Sequence, residues 1–318
     1  MPLPFEKPID DLEAKITDMR VYAVDQGLDM DEEIGMLENR LDDLRRETFK
    51  DLTRWQRVQV ARAAGRPSGL DYIRSAFEDF TELHGDRNLG DDPALVTGIA
   101  RLDGQSVVVM AQQKGRDTKE NIRRNFGMMH PSGYRKAVRM FELADKFRLP
   151  VVTLIDTPGA YPGVAAEEQG QAWVIAESIR RMSRLTVPAL SVVVGEGGSG
   201  GALAIGVANR VLILENAIYS VISPESCAAI LWHDSGEAAK AAEALKLTAY
   251  DLLELGVVDR VVEEPLGAAH KHPNETKRRV AQAIREELEP LYDLTPDELL
   301  QARQERFRAL GRFEEVAV

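Results

Sequence analysis

Residues 189–206 read ALSVVVGEGGSGGALAIG, and this stretch limits the possible folds more than any other in the chain. A run of apolar and β-branched residues leads into five glycines within seven positions: Gly195, Gly197, Gly198, Gly200 and Gly201. A helix-forming run follows at once. Unbroken apolar character on a short strand means burial on both faces, the condition met in the parallel sheets of α/β folds. A glycine held in ordered structure gives up more chain entropy than other residues do, at roughly 0.5–1 kcal/mol each. Five together mark a place where backbone closely approaches a ligand or other backbone. A turn that opens a helix also leaves amide N–H groups without an intrahelical acceptor. The segment therefore reads as a phosphate cradle, an oxyanion hole or a close-packed turn.

A second glycine turn, Ile155-Asp156-Thr157-Pro158-Gly159-Ala160-Tyr161-Pro162-Gly163, follows another apolar run. Strands are expected at Leu95–Arg101, Ser106–Gln113, Val151–Asp156, Ala189–Val194, Val211–Leu214 and Ile218–Ile222, with helices such as Tyr134–Lys146 and Glu167–Arg184 between them. This alternation predicts an α/β domain with mostly parallel pairing, and Leu102-Asp103-Gly104 predicts one antiparallel hairpin. Before it, Ile9, Leu12, Ile16 and Met19 recur at helical spacing. So do Ile34, Leu37, Leu41 and Leu44 after the Gly27–Asp31 break. These stripes predict a helical hairpin over residues 1–66 that docks on the main body or on another subunit. The α/β domain is expected over 67–269 and a charged, peripheral helical tail over 270–318.

Charge and composition narrow the function. The net charge of −12 argues against nucleic acid as a partner. From Lys114 to Arg148, however, ten basic residues face four acidic ones, a local excess of six. Such an island suits an anionic ligand, an acidic partner or a solvated helix face. Cys227 is the only cysteine, which excludes a disulfide framework and a Cys-based zinc site within the chain. The histidines His84, His130, His233, His270 and His272 show no metal-ligand or triad spacing, so surface or capping roles are expected for them. The start MPLPFEKPID has no secretory pattern and no apolar run reaches the ~18 residues of a membrane span, so a soluble cytoplasmic protein is expected.

Several chemistries compete for the main glycine turn. No G-x-x-x-x-G-K-[ST] is present, whereas G-x-G-x-x-G fits Gly195–Gly200, with Glu215 about where a ribose-binding acid belongs. Ser199 in GGSGG matches the bare spacing of a nucleophile elbow, yet no histidine stands in the next strand, Ser220-Val221-Ile222, to activate it. Glu167 and Glu168, after the other turn, would be the bases of a hydratase or isomerase. A scaffold whose glycines only pack is the remaining alternative.

Longer motifs favour one of these readings. IDTPGAYPG, then GEGGSGGALAIG, then YSVISPESCAAILW, with QKGRDTKENIRRNFGM and PSGYRKAVRMFELADKF upstream, resemble the alpha subunits of bacterial acetyl-CoA carboxylase carboxyltransferase. The resemblance covers most of the chain. It implies a crotonase-like ββα spiral, an α/β fold, flanked here by the N-terminal helical hairpin and the C-terminal helical tail. It also implies transfer of a carboxyl group from carboxybiotin, carried on a biotin carboxyl carrier protein, to acetyl-CoA, giving malonyl-CoA for fatty acid biosynthesis. The implied partners are a zinc-bearing beta subunit in an alpha2beta2 heterotetramer, that carrier protein, and biotin carboxylase in the larger complex. This chain itself would hold no metal.

The chemistry such a reaction needs agrees with the residues. Loss of CO₂ from carboxybiotin leaves negative charge on the ureido oxygen and N1. The anion removes a methyl proton from acetyl-CoA, and the enolate captures CO₂. Pre-aimed N–H donors serve this better than a side-chain nucleophile, at about 3 kcal/mol each. By similarity, the amides of Gly201 and Ala202 are the expected donors, with Gly200 shaping the turn and Gly201 presenting an open face to the substrate. Gly159 and Ala160 would form a second wall. Arg116, Arg123 and Arg124, together with Arg135 and Lys136, are candidates for holding CoA phosphates or the transferred carboxylate. The single cysteine and scattered histidines yield the first prediction. The isolated chain should carry far less than one equivalent of metal by elemental analysis, and stoichiometric zinc would contradict it.

Overall fold

A computed structural model describes residues 3–311. Among these residues one eight-stranded sheet forms, in the order β1-β2-β3-β4-β5-β6-β8, with β7 also paired to β5. Strands β2 (Leu95–Leu102) and β3 (Gln105–Gln112) are the expected antiparallel hairpin around Asp103-Gly104. From β3 onward the pairing is parallel through β4 (Val151–Thr157), β5 (Ala189–Gly198), β6 (Arg210–Leu214) and β8 (Arg260–Val262). Every residue of β4 is buried, as its apolar run VVTLIDT requires. Strand β7 (Ile218–Ser220) pairs with the glycine end of β5.

The differences from the sequence expectation have local causes. Strand β1 (Glu78–Glu82), with the sequence EDFTE, carries no apolar pattern because it is an exposed, bulged edge. Strand β8 is only three residues long. The expected helix at Glu167–Arg184 is two, α7 (Val164–Glu168) and α8 (Gln171–Ser183), because Gly170 adopts a left-handed φ of 78° between them. Strand β5 runs four residues past the expected Val194, so the first glycines of the run are extended strand rather than turn.

At the N-terminus, α1 (Lys7–Gln26) and α2 (Asp31–Lys50) form the expected hairpin, with Gly27 in the left-handed C-cap position. Ile9, Ile16, Ile34 and Leu41 bury a seam of their own. The base of the hairpin is seated on α13 (Ala268–Lys271), where Lys271 bridges Asp10 at 2.6 Å and Glu13 at 3.0 Å. His270 is not a surface group as expected: its ring is buried and lies 3.0 Å from a buried Glu6 carboxyl oxygen. Short helices α3 (Arg54–Ala61) and α4 (Gly69–Ala76) carry the chain into the sheet. Helix α5 (Thr118–Arg123) follows β3, and α6 (Pro131–Phe147) precedes β4. Helices α10 (Pro224–Trp232), α11 (Ala238–Leu245) and α12 (Ala249–Glu254) lie between β7 and β8.

The C-terminal helices are not peripheral. Helix α14 (Pro273–Leu288) sends Val280, Ala281, Ala283, Ile284 and Leu288 into the main core, and α15 (Pro296–Arg308) sends Leu299. Arg303 of α15 is 1% exposed and donates to the carbonyls of Leu185 (2.6 Å) and Val187 (3.1 Å) and to the Asn209 side chain. Asn209 in turn caps the start of β5 through Ala189 N–H at 3.2 Å. Among the described residues no carboxylate bonds the guanidinium, and burial lowers its pKa to about 10. Arg303→Ala is expected to cost about 3 kcal/mol by stranding these acceptors. A thermal melt within a degree of wild type would show the tail to be dispensable.

Candidate active site

The two glycine turns meet backbone to backbone. Ser199 begins α9 (Ser199–Leu203) with a left-handed φ of 53°, uncommon for a residue with a side chain and a source of strain where chain direction changes. A Cβ on Gly201 would lie 2.5 Å from the Gly159 carbonyl carbon and 2.6 Å from Ala160 nitrogen. Gly198 is pressed against Pro158 in the same way. The structure thus brings Gly159 and Ala160 onto Gly201, but it corrects the expected open face of Gly201, whose missing side chain makes room for the other turn. Gly201 and Ala202 are buried, while Ser199 is exposed and Gly200 half-buried. Ser199 and Gly200 line a cleft of about 360 Å³ with Leu203, Tyr219, Val221 and Leu255. Among the described residues, no histidine lines the cleft beside Ser199, and no three His, Cys, Asp or Glu side chains are grouped to hold a metal.

Helix α9 ends after five residues, and buried side chains take its free carbonyls. Thr153 Oγ1 and Ser191 Oγ donate to Ile205 O at 2.7 and 3.1 Å, and Ser178 Oγ donates to Ala204 O at 2.7 Å. Gln112 Nε2 donates to Gly201 O at 2.8 Å. Unpaired polar groups at such depth would cost about 1–3 kcal/mol each, so four side chains hold α9 and the residues just past it at three carbonyls.

Below the turns lies a charge network that the sequence reading missed. Lys114, Asp156 and Glu196 stand at or just past the C-terminal ends of adjacent strands β3, β4 and β5. Lys114 Nζ sits 2.7 Å from both Asp156 Oδ1 and Glu196 Oε2. Arg62 reaches Glu196 at 2.6 Å and also pairs with Glu225. Asp156 accepts the Glu196 N–H at 2.9 Å, and Gly195 leaves the space for its carboxylate. Burial works against the Lys114 charge, but the two carboxylates outweigh it and raise its pKa. Burial likewise disfavours the Glu196 carboxylate, yet Lys114 and Arg62 hold its pKa below the usual range. Beside this set, Arg66 pairs with the buried Glu264 at 2.7 Å and donates to Val194 O at 3.0 Å. A signal was available: each of Lys114, Asp156 and Glu196 ends a run of apolar strand, where ligand sites of parallel sheets lie.

The basic island separates into parts. Lys136 is buried and bound to Asp91 and to Asp92 O at 2.8 Å, and Arg135 pairs with Asp86 at 3.1 Å. These two fix a loop and are not free to hold a phosphate, contrary to expectation. Arg124 is tied to Glu120 at 2.9 Å and to Pro93 O at 2.8 Å. Arg116 is exposed and pairs with Asp71 at the edge of a cavity of about 600 Å³ that also reaches Lys114 and Asp156. Arg123 is exposed on α5. Glu167 and Glu168 are exposed on α7.

The fold, with its glycine turns stacked at the strand ends of a mostly parallel sheet, is that of crotonase-like carboxyltransferases, as two solved structures show. The 12S transcarboxylase core, solved with methylmalonyl-coenzyme A and methylmalonic acid, superposes at a TM-score of 0.58 with 25% identity over 73% of this chain and 43% of that one. A Pseudomonas malonate decarboxylase chain superposes at 0.60 over 76% of this chain and 96% of its own, with 19% identity. Residues 2–311 match the family described as acetyl co-enzyme A carboxylase carboxyltransferase-like. Proteins named acetyl-coenzyme A carboxylase carboxyl transferase subunit alpha are 63% identical in Thermus thermophilus (99% of this chain, all of that one) and 56% in Deinococcus radiodurans (96% of each). The chain belongs to this family of carboxyltransferase alpha subunits. Among the described residues, no helix is long and apolar enough to cross a membrane.

The Glu196 network carries a pH signature. Its folded pKa lies below the ordinary 4.5, so it contributes stability above that value and loses it as the pH falls through the lower, folded one. Wild type should therefore melt several degrees above Glu196→Gln at about pH 7, with the gap closing below about pH 4. A gap that stays constant on acidification would show that Glu196 is not held as a carboxylate.

Proposed function

We propose that this chain transfers a carboxyl group from carboxybiotin to acetyl-CoA, forming malonyl-CoA, with residues 67–269 as the catalytic body. The observation that carries the reading is the stacked pair of glycine turns, which opens at Ser199 and Gly200 onto an apolar cleft. A biotin ring fits the chemistry of that cleft: its hydrocarbon side meets Leu203, Val221 and Leu255, and its ureido oxygen needs backbone donors. Bound carboxybiotin supplies the carboxyl group on a carrier protein. This chain's part is to hold the amides of the Gly200–Gly201–Ala202 turn toward the oxygen where charge develops, and to keep water from it. Such donors act without a proton transfer and are worth about 3 kcal/mol each.

Gly159 and Ala160 form the facing wall and fix how far the turn can relax. Of the three candidate arginines, Arg123 is exposed and makes no hydrogen bond or ion pair among the described residues. It is the one best placed to meet a CoA phosphate or the carboxylate, while Arg116 and Arg124 must first be released from Asp71 and Glu120. Exposed Val221, Leu203 and Leu255 leave an apolar surface around the cleft. That surface supports completion of the site by a beta subunit, in an alpha2beta2 assembly, with the carrier protein docking across it and biotin carboxylase recharging the carrier. Zinc, by this reading, belongs to the beta subunit.

The test is Gly200→Val in the two-subunit enzyme. A Cβ at Gly200 meets only Ile175 at 3.4 Å, an ordinary contact, so the variant should fold and assemble. Its branched side chain is set between the turn and Ile175 and shifts the donor amides, so malonyl-CoA formation should drop by about 10²–10³. Gly201→Val is unsuited to the purpose, because its Cβ strikes the Gly159–Ala160 backbone and would unfold the turn. A Gly200→Val complex of normal mass and melting temperature with wild-type turnover would overturn the oxyanion reading.

A further inference from the structure

Gln112 is fully buried at the end of β3, directly after the buried apolar run Val107–Ala111. Its amide makes two bonds that join the two glycine turns. Nε2 donates to Gly201 O at 2.8 Å, and Oε1 accepts Asp156 N–H at 3.1 Å, at the residue that leads into the other turn. The orientation of the amide is unambiguous, because a flip would set oxygen against oxygen and N–H against N–H. Thr153, Ser191 and Ser178 grip the far end of α9, at Ala204 and Ile205. Gln112 grips the turn itself. A peptide unit is planar, so holding the Gly201 carbonyl fixes the plane of the Gly201–Ala202 peptide and aims its N–H to the opposite side.

We propose that Gln112 is a positioning residue for carboxyl transfer: its side-chain amide sets the register of the two glycine turns, and with it the aim of the donor amides. The proposal rests on the oxyanion reading above. An apolar side chain would fill the site at less polar cost, so the two hydrogen bonds are what the position gains from glutamine.

The test uses the two-subunit enzyme with Gln112→Met, which keeps volume and removes both bonds, and Gln112→Glu, which keeps shape. Gln112→Met should lower kcat about 10²-fold while KM for acetyl-CoA stays within about twofold, since the loss falls on transition-state contacts. For Gln112→Glu, a neutral carboxyl can donate to Gly201 O and accept from Asp156 N–H, whereas a carboxylate cannot donate. Its activity relative to wild type should therefore be highest near pH 6 and fall toward that of Gln112→Met near pH 8.5, about the range of a buried glutamic acid. Among the charged and titratable groups on the elements packed against β3 are Lys114, Asp156 and Glu196 at the strand ends, Asp71, Tyr72 and Arg74 on α4, and Tyr134, Arg135 and Lys136 on α6, and all are unchanged in both variants. A wild-type kcat in Gln112→Met, or a flat pH ratio in Gln112→Glu, overturns the proposal. Should Gln112→Met fail to assemble, the pH ratio of Gln112→Glu decides alone. Gly200→Val run in parallel separates the two readings. If it loses turnover while Gln112→Met keeps it, only the positioning role falls. If both keep turnover, the oxyanion reading falls with it.

Discussion

A five-residue helix has almost no stability of its own, yet the geometry of this site hangs on one. Helix nucleation fixes several residues before the first hydrogen bond repays it, and α9 ends before many bonds accrue. What keeps it in place is a set of buried hydroxyl and amide groups from β3, β4, β5 and α8 that accept the role of its missing turns. Those groups are costly inside a core and are tolerated because each is satisfied. The surrounding sheet can therefore be read as a frame whose central strands carry one polar side chain each at the depth where α9 must be caught.

The fold was legible where the chain obeys simple periodicity. Ile9, Ile16, Ile34 and Leu41 announced the hairpin, and the β-branched runs of β4 and β5 announced a buried parallel sheet. Strand β1 and the break at Gly170 were not legible, since an exposed edge needs no apolar pattern and a left-handed glycine inside a helical run looks like any other. The buried Arg303 was opaque for a related reason. Charged residues on a helix read as solvent-facing, and only the tertiary fold shows three acceptors converging on one of them.

The site was half legible. Glycine spacing located the turns, because only close backbone contact explains so many glycines in so few positions. It did not reveal that Gly201 faces Gly159 rather than substrate, since a missing Cβ has the same sequence whatever fills the space. The basic island misled for a different reason: Lys114, Arg135 and Lys136 have their carboxylate partners at Asp156, Asp86 and Asp91, far away in sequence or across a loop. Local charge counting sees the cations and not the acids that neutralise them. The residues Lys114, Asp156 and Glu196 form a layer directly under the turns, so the electrostatic environment of the site is set largely by the protein's own pairs.

The seating of the hairpin on α13 has a consequence for synthesis. Its seam is local, so α1 and α2 can pair soon after they leave the ribosome. Glu6, Asp10 and Glu13 must then wait for His270 and Lys271, which are made some 260 residues later. The central strands wait likewise for Arg303 to reach Leu185 and Val187. A nascent chain thus carries a finished hairpin on an unfinished body until His270 and Lys271, and then Arg303, have been made.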